Sequence, residues 1–164
     1  MDTIQFIIED YIDEEYGFRF PTINIYINQM NLIHLIDQVE RSYRSHLQPN
    51  ELLRQSYVGF TPGYHLNFRS EFLGLTCRPF SVLLTCTCQE ELCNSIIARI
   101  IIDSQTVTWC EIRSPFLAAE VEKWVTMEGS EEADAYPIDY SSLGPFIFDR
   151  EQYMKALNAL EQEM

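Results

Sequence analysis

Ser81-Val82-Leu83-Leu84-Thr85-Cys86, Ile96-Ile97-Ala98-Arg99-Ile100-Ile101-Ile102 and Thr106-Val107-Thr108-Trp109-Cys110-Glu111-Ile112 are three apolar, β-prone runs that follow one another within residues 81–112. Asp103-Ser104-Gln105 supplies a turn between the second and the third. Consecutive strands joined by short turns pair antiparallel, so this stretch predicts a meander at the centre of the fold.

Outward toward the C-terminus, Gly144-Pro145-Phe146-Ile147-Phe148 leads into Asp149-Arg150-Glu151-Gln152, a capping-box-like start for a helix over residues 150–163 that carries Tyr153, Met154, Leu157 and Leu160. Toward the N-terminus, the stretch 51–80 holds the turns Val58-Gly59-Phe60 and Pro62-Gly63-Tyr64 but no strong period. It reads as loop with short elements, where binding residues often sit. Before it, Leu32, Leu35, Ile36, Val39 and Tyr43 fall on one face of a helix over residues 32–46, with Asn31 as its cap and Gln48-Pro49-Asn50 ending it. Ile23, Ile25 and Ile27 alternate in a strand behind Pro21, and residues 3–9, with Ile4, Phe6 and Ile8, read as a strand or a short helix.

These elements predict an α+β fold: an antiparallel sheet of about four to six strands with two helices packed on one face. The 164 residues, 46% of them hydrophobic, suit one domain over residues 1–164, with 1–20 as an acidic N-terminal extension or strand and 21–164 as the core. No apolar run approaches the roughly 20 residues of a membrane span, and Met1-Asp2-Thr3-Ile4-Gln5 lacks the basic region of a signal peptide. A cytoplasmic location and no membrane partner are therefore expected.

The net charge of −14 is unevenly spread. Residues 1–20 carry six acids against Arg19 alone, and residues 111–139 carry eight against Arg113 and Lys123. Such patches repel phosphate backbones, which excludes nucleic acid, and they steer a basic protein toward them. Glu14 and Glu15 in the first patch and Glu131 and Glu132 in the second are the candidate partner-binding acids. Trp124, set among charged neighbours, is the candidate aromatic anchor beside the second patch.

Three of the five cysteines, Cys86, Cys88 and Cys93, fall within eight residues. In a reducing compartment they are read as free or metal-bound before they are read as disulfides. An extended segment points Cys86 and Cys88 to one face, and a turn can return Cys93 beside them. Three thiolates at about 2.3 Å from a zinc ion need one more ligand, for which Cys110, Cys77 and His65 are available. No cofactor is expected on balance; zinc is the one the sequence could accommodate, with Cys86, Cys88, Cys93 and Cys110 as its candidate ligands. Glu90 and Glu91 beside the cluster raise thiol pKa values, which weighs against a nucleophile and leaves small buried hydrophobes as the other reading.

The order Leu-Leu-x-Cys-x-Cys-x4-Cys, an Ile-rich strand, Val107-x-Trp109 and the run Phe-x-Phe-Asp-Arg-x-Gln-Tyr at 146–153 resembles a family of uncharacterised bacterial proteins, a domain of unknown function. In that family the cysteine segment reads Cys-x-Cys-Gly-x-x-x-Cys, and here Gln89 stands at the glycine position. The resemblance runs from about residue 23 to 160 and implies a shared fold without supplying an activity.

Catalytic signatures are missing: there is no Gly-x-Gly-x-x-Gly, Walker loop, Gly-x-Ser-x-Gly or His-Glu-x-x-His, and His34, His46 and His65 are scattered. The expected function is therefore a non-enzymatic acidic protein-interaction module of inhibitor or immunity type. The alternative is a zinc-stabilised or thiol-active domain built on Cys86, Cys88 and Cys93.

Overall fold

The computed structural model describes residues 1–43, 57–63, 67–87, 95–114 and 138–164. They form an α+β fold with eight strands and three helices. In chain order these are β1 (Ile4–Ile12), β2 (Arg19–Ile27), β3 (Met30–Asn31), α1 (Leu32–Tyr43), β4 (Tyr57–Val58), α2 (Phe68–Phe72), β5 (Ser81–Cys86), β6 (Ile96–Ile102), β7 (Thr106–Arg113), β8 (Phe146–Asp149) and α3 (Arg150–Glu163).

The meander expected over residues 81–112 is the middle of a five-stranded antiparallel sheet in the order β4-β5-β6-β7-β8. A second sheet, β1-β2-β3, is built on the β1–β2 hairpin, whose strands pair over nine positions from Ile4↔Ile27 to Ile12↔Arg19. Residues 4–12 are thus a strand of the first hairpin.

Hydrogen bonding continues past the sheets at both margins. Asp2, just ahead of β1, bridges Phe148 of β8 in parallel: its N–H donates to Ile147 O at 2.8 Å and its carboxylate accepts from Ile147 N at 2.8 Å. At the other margin Ile23 of β2 bridges Phe60, two residues beyond β4, with Ile23 N donating to Phe60 O at 2.7 Å. Pairing can therefore be followed from β1 through β2, the β4 segment, β5, β6, β7 and β8 back to the start of β1. Such curling covers backbone groups that open edges would leave unpaired.

Trp109 of β7 lies at the centre, fully buried against Phe148 and Tyr153 in edge-on contacts at 5.3 and 6.1 Å and stacked on Phe72 at 6.2 Å. Its indole N–H donates to Tyr153 Oη at 3.2 Å, and that hydroxyl donates in turn to Phe72 O at 2.6 Å. One tyrosine on α3 thereby ties a central strand to α2. Burial pushes the Tyr153 phenol far above its ordinary pKa of 10, so it remains a neutral donor. Phe72 comes from the stretch without a helical period. The five residues of α2 are too short to display one, yet they place Phe72 against Phe6 at 4.8 Å and Phe60 at 5.5 Å.

The helix caps follow the sequence with one change. Asn31 Oδ1 accepts from Ile33 N at 2.8 Å, and Asp149 Oδ1 accepts from Gln152 N at 2.9 Å. Gln152 does not reach back to the cap as a capping box would; its amide donates to Ile4 O at 2.9 Å and fastens α3 to β1. The described part of α1 ends at Tyr43, so the expected extension to residue 46 lies outside the described residues. Among the described residues no helix is long and apolar enough to cross a membrane.

The β6–β7 turn is closed by Asp103, whose carboxylate accepts from Gln105 N at 2.8 Å, Thr106 N at 2.7 Å and Thr106 Oγ1 at 2.9 Å. The two backbone bonds, then the hydroxyl, hold its pKa below the ordinary 3.8. A depressed carboxyl contributes its stabilisation fully above pH 3.8 and loses it as pH falls through the lower folded value. The amides of Gln105 and Thr106 are therefore expected to lose protection against hydrogen exchange at acid pH before those of β6 and the rest of β7 do, and Asp103→Asn should abolish that pH dependence.

Candidate functional site

The most distinctive surface is the outer half of the β1–β2 hairpin. On the inward face the pairs Ile4↔Ile27, Phe6↔Ile25 and Ile8↔Ile23 feed the core, and the same face continues outward as Asp10↔Pro21 and Ile12↔Arg19. Period-two alternation thus carries one face from apolar to charged where the hairpin leaves the body. Arg19 is held there by the Asp10 carboxylate, its Nε at 3.1 Å.

On the other face Tyr11 pairs with Phe20, the rings 5.2 Å apart, and a file of aromatic rings continues toward the turn. Phe20 stacks on Phe18 at 5.9 Å, and Phe18 on Tyr16 at 6.4 Å with the planes 14° apart. Tyr16 is 74% exposed and Phe18 44%. Burial and the Asp13 charge raise the Tyr11 phenol above its ordinary value, so it stays neutral.

The turn itself is firmly built. Asp13 N donates to Phe18 O at 2.8 Å, Gly17 N donates to Asp13 O at 2.8 Å, and the Asp13 carboxylate accepts from Tyr16 N at 2.9 Å. Gly17 has φ +72°, a left-handed position that glycine adopts at no steric cost. Glu14 and Glu15 stand exposed at the apex and make no ion pair among the described residues.

The other acids of this stretch are engaged. Glu9 accepts from Tyr26 Oη at 3.0 and 3.1 Å and from the Asn24 amide, Asp10 holds Arg19, and Asp13 closes the turn. Where the hairpin meets α1, a hollow of 280 Å³ is lined by Asp10, Tyr11, Asn24, Asn31 and His34 among others.

The cysteine reading meets a different geometry. Cys86 ends β5 opposite Tyr57, whereas Cys110 lies in β7 opposite Arg99, whose carbonyl its thiol contacts at 3.7 Å. Since Leu84 pairs with Ile96, Cys86 lies beyond the start of β6 while Cys110 faces its middle. At about 3.3 Å per residue the two sulfurs are separated by several residues of strand as well as by one intervening strand. They are not brought together, and among the described residues no group of three or more metal-ligating side chains forms. Burial, then the Glu111 charge, raise the Cys110 thiol against the opposing pull of Arg99, which leaves it poorly nucleophilic. Cys88, Cys93, Trp124, Glu131 and Glu132 lie outside the described residues.

A buried constellation escaped the sequence reading. Glu40 on α1 accepts from Tyr57 Oη at 3.2 Å, and Tyr140 and Ser114 are buried alongside. Burial first, then the Glu40 charge and its bond, push Tyr57 far above a phenol's ordinary pKa, against the opposing influence of Tyr140 and Ser114. Tyr57 is thus a fixed donor to a carboxylate. These four residues are separated in sequence and follow no motif, so only the fold assembles them.

No family model matches the chain, and neither a curated protein nor a solved structure matches it.

Proposed function

We propose that this protein is a non-enzymatic protein-interaction module of inhibitor or immunity type that docks a basic partner through the outer end of the β1–β2 hairpin. The observation that carries this reading is the ring file Phe20-Phe18-Tyr16, half-buried at Phe20 and exposed at Phe18 and Tyr16, ending beside Glu14 and Glu15 at a hydrogen-bonded turn. Large aromatic rings held out of the core are the usual anchors of protein interfaces. Ring faces also attract guanidinium and ammonium groups, by about 0.5–1 kcal/mol each at exposed sites. The uncompensated carboxylates at the apex draw the same groups in from a distance. Aromatic and acidic side chains on one arm therefore favour a partner surface rich in arginine or lysine. The turn bonds around Asp13 spare the arm much of the ordering cost of binding.

An arginine-rich peptide is a direct probe of this surface. Reversing both apex charges, Glu14→Lys with Glu15→Lys, is expected to weaken its binding to the full chain by about tenfold or more, and Phe18→Ser by a comparable factor. Added salt should weaken the native complex more than that of the charge-reversed variant. If the two variants bind as the native chain does, the hairpin end is not the docking surface.

A further inference from the structure

A second surface of opposite sign lies on the five-stranded sheet. Between the pairs Ile97↔Arg113 and Arg99↔Cys110, β7 carries one residue more than β6, and the irregularity falls at Glu111, with φ +53°. A β-bulge of this kind re-aims the side chains around it. A residue other than glycine in the left-handed region costs on the order of 1 kcal/mol or more, and such strain concentrates at functional positions. Its effect on β7 is plain: Cys110 and Glu111 both turn away from the core, Ile112 returns to it, and Arg113 emerges on the outer side.

The bulge borders a cleft of 280 Å³ lined by Pro79, Phe80, Arg99, Glu111 and Arg113. Arg78, held by the buried Glu71 carboxylate, lays its guanidinium over the Phe80 ring at 5.6 Å. A chain of net charge −14 thus sets two arginines, Arg99 and Arg113, in the wall of one small cleft, with Arg78 behind its Phe80 ring. Glu111 is a loose counterion, its carboxylate 4.0 Å from Arg99 with both side chains more than half exposed. Arg113 makes no ion pair among the described residues.

We propose that this cleft binds an oxyanion, a phosphate or carboxylate carried on an apolar group, with the Arg99 and Arg113 guanidinium groups as its donors and Phe80 as the apolar wall. Planar guanidinium forks match the oxygens of either anion. Binding exchanges the long Glu111 contact on Arg99 for direct bonds to the ligand, so Glu111 acts as an internal competitor. This site is independent of the hairpin end, which carries the opposite charge on other strands.

Phenyl phosphate and benzoate, titrated separately into the full chain and followed by backbone amide shifts, test the proposal and distinguish the two oxyanions. At least one probe is expected to give saturable shifts centred on residues 78–80, 99 and 110–113. Arg99→Ala and Arg113→Ala should each weaken that probe at least tenfold, and Glu111→Gln should tighten it severalfold. Should an alanine variant lose its fold, Arg99→Lys or Arg113→Lys replaces it; keeping the charge without the fork, it should still weaken binding at least threefold. The proposal is overturned if neither probe gives saturable shifts there, if the arginine variants titrate like the native chain, or if Glu111→Gln weakens binding.

Discussion

Gly59→Ala is expected to destabilise the protein by about 3 kcal/mol or more, the upper end of what overpacking a tight site costs. A Cβ built on Gly59 falls 1.9 Å from Ile23 O and 2.6 Å from Ile23 C, and both are backbone atoms. A flexible side chain could swing away from such a contact. Ile23 cannot, because it is fully buried in β2, pairs with Ile8 and donates its N–H to Phe60. The substitution therefore forces apart the seam where β2 meets the β4 segment, and with it the link between the two sheets. Chemical denaturation of the variant reads the loss directly. A change below about 0.5 kcal/mol, the range of an ordinary surface substitution, would mean the seam is not formed as described.

Trp109→Ala should be of similar or greater size, about 3–5 kcal/mol, since a fully buried indole leaves a cavity that its neighbours fill only in part. Phe72, Phe148 and Tyr153 lose their common contact, and the Tyr153 hydroxyl loses its donor. Tyr153→Phe isolates the polar part: it leaves the indole N–H and Phe72 O without their partner in a buried site, for about 1–3 kcal/mol. Because the two residues share one hydrogen-bonded chain, the double variant Trp109→Ala with Tyr153→Phe should cost less than the sum of the singles. Strict additivity would show that Tyr153 acts independently of Trp109.

Much of this core is legible in the sequence because it rests on local periodicity. The runs at 81–86 and 96–102 coincide with β5 and β6, and the Asp149 cap starts α3 where its side chain requires. Long-range pairing is not local and leaves no such trace. Nothing in Asp2 foretells its bridge to Phe148, and nothing in Gly59-Phe60 foretells the bridge to Ile23. The five-stranded sheet falls within the four to six strands expected, and these bridges join to it a second sheet, β1-β2-β3. The same limit applies to the surface. The acids of residues 1–20 are evident from composition, but their roles divide only in three dimensions: Glu9, Asp10 and Asp13 are tied into the hairpin, while Glu14 and Glu15 at its apex make no ion pair among the described residues. Tyr16, Phe18 and Phe20 at a spacing of two are a usable signal for a ring file running from the turn into β2, which charge counting alone overlooks. The bulge at Glu111 is hidden for another reason: a glutamate in a β-prone run gives no hint of a positive φ.

The central claim is that the hairpin end, and not acidity in general, recognises a basic partner. Backbone amide shifts recorded while an arginine-rich peptide is titrated into the full chain test it most directly. The predicted result is a saturable response concentrated on residues 11–20 that is lost in Phe18→Ser as well as in the charge-reversed Glu14→Lys with Glu15→Lys variant. A response spread over acidic residues throughout the chain, or one that Phe18→Ser leaves intact, would contradict it.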